Sequence, residues 1–185
     1  LNTDKILLFT DTGNLHQLKV MDVPAGKLRD KGTPIDNLSK FDGGKETIVY
    51  LAGSRELKGK ILVFATKTAM VKQVPAEEFE TNNRMVAATK LQDGDQIVSI
   101  LPVEGQEEVV LQTTSGVFLR FPLEEISVLK KASRGVRGIK LAKNEELEKL
   151  YLIGDNPVID YKGKEVHMNR LKLAKRDGKG SKVRL

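Results

Sequence analysis

The chain has 185 residues, enough for one domain or one repeat array, and no cysteine, which excludes disulfide frameworks, thiolate metal sites and a cysteine nucleophile. Only His16 and His167 supply imidazoles, no apolar stretch approaches a membrane span and no signal peptide opens the chain, so a soluble, cytoplasmic protein without cofactor, metal or membrane is expected. A formal charge of +6 suits a polyanionic partner, whereas aromatics at 5% without Trp argue against a single-strand reader built on stacking platforms.

The first unit, about residues 4–54, opens with ILLFTDTGNLHQLKVMDVP (6–24). Apolar and β-branched residues, a polar turn DTGN (11–14) and a second alternating run predict a β-hairpin. A connection carrying Arg29 and Lys31 leads to a third run, GTPIDNL (32–38), a turn FDGGKE (41–46) and a fourth strand TIVYLAG (47–53). The second unit, about 58–103, repeats the layout with the hairpin ILVFATKTAMVKQVPAEEF (61–79), the run MVAATKL (85–91), the turn QDGDQ (92–96) and the strand IVSILPV (97–103).

The third unit, about 107–155, begins with VVLQTTSGVFLRFPLEEI (109–126) and continues through GIKL (138–141) and KNEELEK (143–149) to LYLIG (150–154). By composition LAKNEELEKLYLI (141–153) suits a helix. Its alignment with QDGDQIVSI in the preceding unit predicts a turn and a strand. A partial fourth unit, about 156–185, holds the hairpin VIDYKGKEVHMNRL (158–171) and the run SKVRL (181–185). Four strands per unit at a spacing of roughly 50 residues predict an all-β, propeller-like array in a single domain spanning 1–185. A β-sandwich or barrel is the competing all-β architecture.

Cations and acids segregate along the chain. KKASRGVRGIK (130–140) contains no acid, and residues 162–185 hold nine bases against Glu165 and Asp177, while acids gather in EEFE (77–80), EGQEE (104–108) and NEELE (144–148). Random surfaces mix signs, so two acid-poor runs point to a polyanion contact. Nucleotide chemistry finds no support: GSRELKGKI (53–61) has five residues between its glycines and Ile61 after Lys60, which rules out a Walker A loop. Asp93 and Asp95 flank a turn glycine and suit hairpin chemistry better than a carboxylate dyad.

The pieces ILLFTDTGNLHQLKV (6–20), RDKGTPIDNL (29–38) with FDGGKETIVYL (41–51), and VVLQTTSGVFLRFPLEEI (109–126) with ASRGVRGIKL (132–141) resemble the C-terminal β-pinwheel domains of the A subunits of bacterial DNA gyrase and topoisomerase IV. The resemblance covers nearly the whole chain at repeat spacing. It implies four-stranded blades, no catalytic residue in this chain, and duplex DNA bound and bent or wrapped along the outer rim. It also implies, as partners, the ATPase B subunit together with the remaining domains of the A subunit, with the isolated chain monomeric. Gyrase's box QRRGGKG is absent; RDKGTP (29–34) and SRGVRGIK (133–140) are degenerate counterparts, which favours a topoisomerase IV-like domain or a weakly wrapping gyrase-like one. The family also usually shows more blades than three full units and a partial fourth.

The candidate DNA contacts are Arg29 and Lys31 in the first unit, Arg84 and Lys90 in the second, Lys130, Lys131, Arg134, Arg137 and Lys140 in the third, and Lys175, Arg176, Lys179 and Lys182 in the fourth. Their expected role is phosphate contact without base readout, with Gly32, Gly135, Gly138, Gly178 and Gly180 letting the backbone approach phosphates. Arg120 lies on a strand, as a DNA contact or as a strand-face residue that packs its stem. The alternative function is a propeller scaffold for an acidic protein partner.

Overall fold

The computed structural model describes residues 3–183. The four expected hairpins form where the polar turns fall: β1 (Lys5–Thr10) with β2 (Asn14–Lys19), β4 (Ile61–Thr66) with β5 (Met70–Pro75), β8 (Glu108–Thr113) with β9 (Val117–Pro122), and β12 (Val158–Tyr161) with β13 (Lys164–His167). The fourth strands follow as β3 (Ile48–Gly53), β7 (Ile97–Pro102) and β11 (Leu147–Leu152). The acidic, helix-prone stretch of the third unit is therefore a turn and a strand. Leu147 and Leu150 point into the core while Glu148 and Lys149 stay exposed, and burial between blades overrides local propensity.

The third runs do not join their own hairpins. β6 (Met85–Ala87), β10 (Val136–Arg137) and β14 (Ser181–Lys182) each pair antiparallel with the second hairpin strand of the preceding unit, giving the sheets β3-β1-β2-β6, β7-β4-β5-β10 and β11-β8-β9-β14. Blades and sequence repeats are thus out of phase by one strand. The donated strand is β10, slightly ahead of the expected GIKL; of SKVRL, Arg184 and Leu185 lie outside the described residues.

GTPIDNL (32–38) forms no strand and contains instead a short 3-10 turn, Ile35–Asn37. Pro34 has no amide hydrogen to give a strand ladder, and the turn closes on its carbonyl, with Asn37 N donating to Pro34 O (3.0 Å). Just beyond the segment, the Phe41 ring stands edge-on to His16 at 5.9 Å.

The core lies between blades rather than within them. Phe9, Phe64 and Phe79 join the first blade to the second, with Phe9 and Phe79 in an edge contact at 5.1 Å. Val71, Leu111, Phe121 and Ile139 do the same for the second and third. The last interface is smaller: among the described residues its cluster holds three buried members, Val110, Phe118 and Met168. At 1.5–3 kcal/mol per fully buried large apolar side chain, roughly, the two-stranded hairpin is the weakest-held element.

A polar device recurs at the turns of the first three hairpins. In the first blade Glu46 accepts hydrogen bonds from Thr10 Oγ1 (2.8 Å), Thr12 Oγ1 (2.8 Å) and Asn14, and His16 Nε2 lies 2.5 Å from its other oxygen. Asp95 takes the same place opposite Thr68, and Glu145 opposite Thr113 and Ser115. A register shift next to each turn, at Phe9/Thr10, Ala65/Thr66 and Leu147/Lys149, lets the acid reach across. Asp95 is thus a turn-fixing carboxylate, as its spacing suggested.

Candidate nucleic-acid interface

Strand donation decides where the cations stand. The residues opposite Leu15, Val71 and Phe118 in the donated strands are Val86, Val136 and Ser181. Two residues ahead of these lie Arg84, Arg134 and Lys179, so the three cations occupy one position on successive blades. All three are exposed. Lys90 and Lys140 form a second equivalent set, six residues on, and are exposed as well.

The donated segments also touch one another. Thr89 Oγ1 of the second unit donates to Ser133 O of the third (3.4 Å), while Lys140 N donates to Gly178 O (2.9 Å) and Asp177 N to Gly138 O (2.8 Å) in the fourth. A continuous strip of backbone therefore carries Arg84, Lys90, Lys130, Lys131, Arg134, Lys140, Lys175, Lys179 and Lys182. Among the described residues none of these nine side chains has a carboxylate within ion-pair distance.

Other candidates are placed differently. Arg137 is exposed but paired with Asp177 through Nε–Oδ1 (2.5 Å) and a second guanidinium bond of 2.8 Å. Arg176 turns inward and donates to Glu125 O (2.9 Å) and Arg137 O (2.6 Å), so its guanidinium joins two segments of the strip. Arg29 and Lys31 lie on the exposed loop of the first unit, tied locally by the Lys27 amide to Asp30 Oδ2 (2.7 Å) and outside any sheet. Arg120 is a strand-face residue: it pairs with Glu108 (2.6 Å) and donates to Asn169 O (2.6 Å) and Leu171 O (2.9 Å) of the fourth unit.

Four of the five candidate glycines serve the protein's own packing. A Cβ on Gly135 would lie 2.5 Å from Val71 O, one on Gly180 2.7 Å from Phe118 O, and one on Gly138 2.6 Å from a Leu111 methyl; Gly178 stands against Leu119. Gly135 and Gly180 also have left-handed φ values of 91° and 66°. They let the donated strand come down onto its host, which is the physical reason for the Gly-rich spacing. Of the five, only Gly32 faces open space.

Residues beneath the strip were not evident from sequence. Lys72 is 2% exposed, and its Nζ donates to Lys131 O (2.7 Å) and Ser133 O (2.7 Å) and lies 5.3 Å from the Phe64 ring centroid. Burial pushes its pKa down to about 8, opposed by the charge of Glu78. Gln17 similarly donates to Thr81 O (2.8 Å) and Asn83 O, and Gln73 to Leu123 O and Ile126 O (2.8 Å). A polar residue at an inward strand position was the only available signal. Among the described residues no group of His, Asp or Glu is arranged to hold a metal ion, and no helix is long and apolar enough to cross a membrane.

Four-stranded antiparallel blades, each completed by a strand from the next unit and repeated side by side, define a β-pinwheel. The family model described as the DNA gyrase C-terminal domain, β-propeller, matches residues 60–104 and 107–153. The chain belongs to this family of gyrase A-type C-terminal domains. It is 36% identical to the DNA gyrase A subunit of Chlamydia muridarum over 77% of its length, and 29% identical to that of Staphylococcus aureus over 97%. The chain spans only 17% and 21% of those relatives. In fold it is similar to the crystallised C-terminal domain of DNA topoisomerase IV (TM-score 0.87, 24% identity, 97% of this chain and 58% of that one) and to the E. coli ParC C-terminal domain (TM-score 0.80, 16% identity, 99% and 78%).

Proposed function

We propose that the chain is the duplex-DNA-binding domain of the A subunit of a type IIA topoisomerase, gripping phosphates along the rim and bending or wrapping the duplex. The catalytic core and the B subunit would be its partners in the intact cytoplasmic enzyme, and the isolated domain is expected to be monomeric. The observation that carries this reading is the recurrence of Arg84, Arg134 and Lys179 at one position of successive blades, on segments joined into a strip.

Duplex DNA carries about one charge per 1.7 Å, and displaced counterions provide affinity without sequence readout. Bending a 20–30 base-pair site by 40–90° costs roughly 1–6 kcal/mol. One basic loop would bind without imposing a path. Cations at equal steps around a curved rim tie the contact energy to the bend and offset its cost. The absence of the box QRRGGKG favours bending or weak wrapping.

Titration of the domain with duplexes of unrelated sequence at several salt concentrations tests the reading. Affinity should be indifferent to sequence and fall steeply with salt, and Lys130, Arg134 and Lys140 replaced together by Ala should weaken binding and flatten the slope. Nicked circular DNA religated with the domain then separates the modes: a shift in linking number means wrapping, binding without a shift means bending. A domain that ignores duplexes at low ionic strength would overturn the reading.

A further inference from the structure

The rim arginines of the second and third units share a feature of their backbone. Thr81 and Asn83 stand three and one residues ahead of Arg84, and Lys131 and Ser133 stand three and one ahead of Arg134. In the first blade a single side chain, Gln17, donates to both preceding carbonyls; in the second blade Lys72 does so. Both donors sit on the second hairpin strand of the host blade and are buried, at 7% and 2% exposure. Two different residue types at neighbouring strand positions thus grip equivalent pairs of carbonyls.

Resting on the DNA-binding reading above, we propose that Gln17 and Lys72 are positioning residues of the rim, each fixing the two carbonyls that precede an outward arginine and so setting where that arginine meets a phosphate.

Burying an ammonium is unfavourable unless its donors are used, and Lys72 uses two of them on the backbone oxygens of Lys131 and Ser133. An arginine on a free loop loses backbone and side-chain entropy on contact with a phosphate, whereas one on a gripped loop has already lost part of it. Charge-assisted bonds are roughly twice as strong as neutral ones, so the hold on 131–133 weakens when Lys72 gives up its proton. The charged groups around it are Glu78 on the 3-10 turn Ala76–Phe79, whose carboxylate also accepts from the Lys131 amide (3.3 Å), and Lys131 itself.

The test is a double-mutant cycle read by duplex affinity. Lys72→Met keeps the stem against Phe64 and removes the charge and the donors; it should lower affinity about 3–10-fold with Arg134 present and have little effect in an Arg134→Ala background. Gln17→Leu should behave likewise toward Arg84→Ala. Additive effects would overturn the proposal and leave the DNA-binding reading standing. Wild-type failure to bind any duplex would overturn both.

Should Lys72→Met not fold, the pH profile of folded proteins decides. Wild-type affinity should fall between pH 7 and 9, about the pKa of 8 given above, as Lys72 deprotonates, and the fall should vanish in Arg134→Ala; identical profiles would overturn the proposal.

Discussion

Arg137 and Asp177 face each other across the donated segments of the third and fourth units, joined by two charge-assisted bonds of 2.5 and 2.8 Å. The pair welds two stretches of the strip and at the same time neutralises a cation that the sequence assigned to DNA. The aspartate holds the arginine firmly protonated, and the arginine in turn keeps the Asp177 carboxyl below its usual range.

Asp177→Asn should therefore tighten DNA binding. Asn tolerates the left-handed φ of 64° found at this position, and the change frees Arg137 without adding a charged residue. Duplex affinity at low salt should rise severalfold, and the slope of log affinity against log salt should steepen by about 0.9 if the freed cation meets one more phosphate. An unchanged slope would mean that Arg137 does not reach the duplex.

Gly135 and Gly32 separate two explanations for glycine in the basic loops. Gly135→Ala should cost at least about 2 kcal/mol, because it combines a left-handed backbone with a contact of 2.5 Å to Val71 O. Gly32→Ala has only the backbone term, about 1 kcal/mol, since nothing stands within 4 Å. Urea unfolding of the two variants checks the difference, and equal costs would remove close approach as the reason for Gly135.

Glu46 makes the first blade sensitive to acid. Burial raises its pKa, but hydrogen bonds from Thr10, Thr12 and Asn14 and the charge of His16 outweigh this and bring it to about 2 from an ordinary 4.5. A carboxylate depressed in the folded state contributes stability that is fully present above about pH 4.5 and lost as pH falls toward 2. The amount is on the order of 3 kcal/mol at neutral pH. Glu46→Gln should lower stability at about pH 7 and flatten its dependence between roughly pH 5 and 2, as followed by thermal melts.

Arg120 latches the fourth hairpin. Arg120→Met would leave Asn169 O, Leu171 O and the Glu108 carboxylate without their donor, a loss of roughly 1.5–3 kcal/mol per charged hydrogen-bonded group before water compensates. With so small an apolar interface beneath it, the hairpin Val158–His167 should exchange its amide hydrogens faster while the three complete blades keep their protection. Uniform acceleration across all blades would refute a local latch.

Much of the architecture was legible in one dimension because a hairpin is a local structure. Alternating apolar residues and polar turns located all four hairpins, and repeat alignment turned LAKNEELEKLYLI into a turn and a strand against its helical composition. Pairing partners were not legible. β6, β10 and β14 are marked in sequence only by short runs, the last two directly after a glycine, and neither signal says which edge will receive the strand.

The site divides in the same way. The charge runs drew attention to the segments that form the strip, but Arg134 and Arg137 are three residues apart in one basic run, and only the fold leaves one exposed without an acid partner and makes the other half of an ion pair. Lys72 stands in no basic run of the sequence and is among the most deeply buried polar residues of the fold. Sequence by itself determined the repeat, the hairpins and the supply of positive charge, since these follow from local alternation and composition. Tertiary structure decided which strand completes which blade, which cations face outward in register and which donors lie beneath them, because those depend on contacts between residues tens of positions apart whose geometry no local pattern encodes.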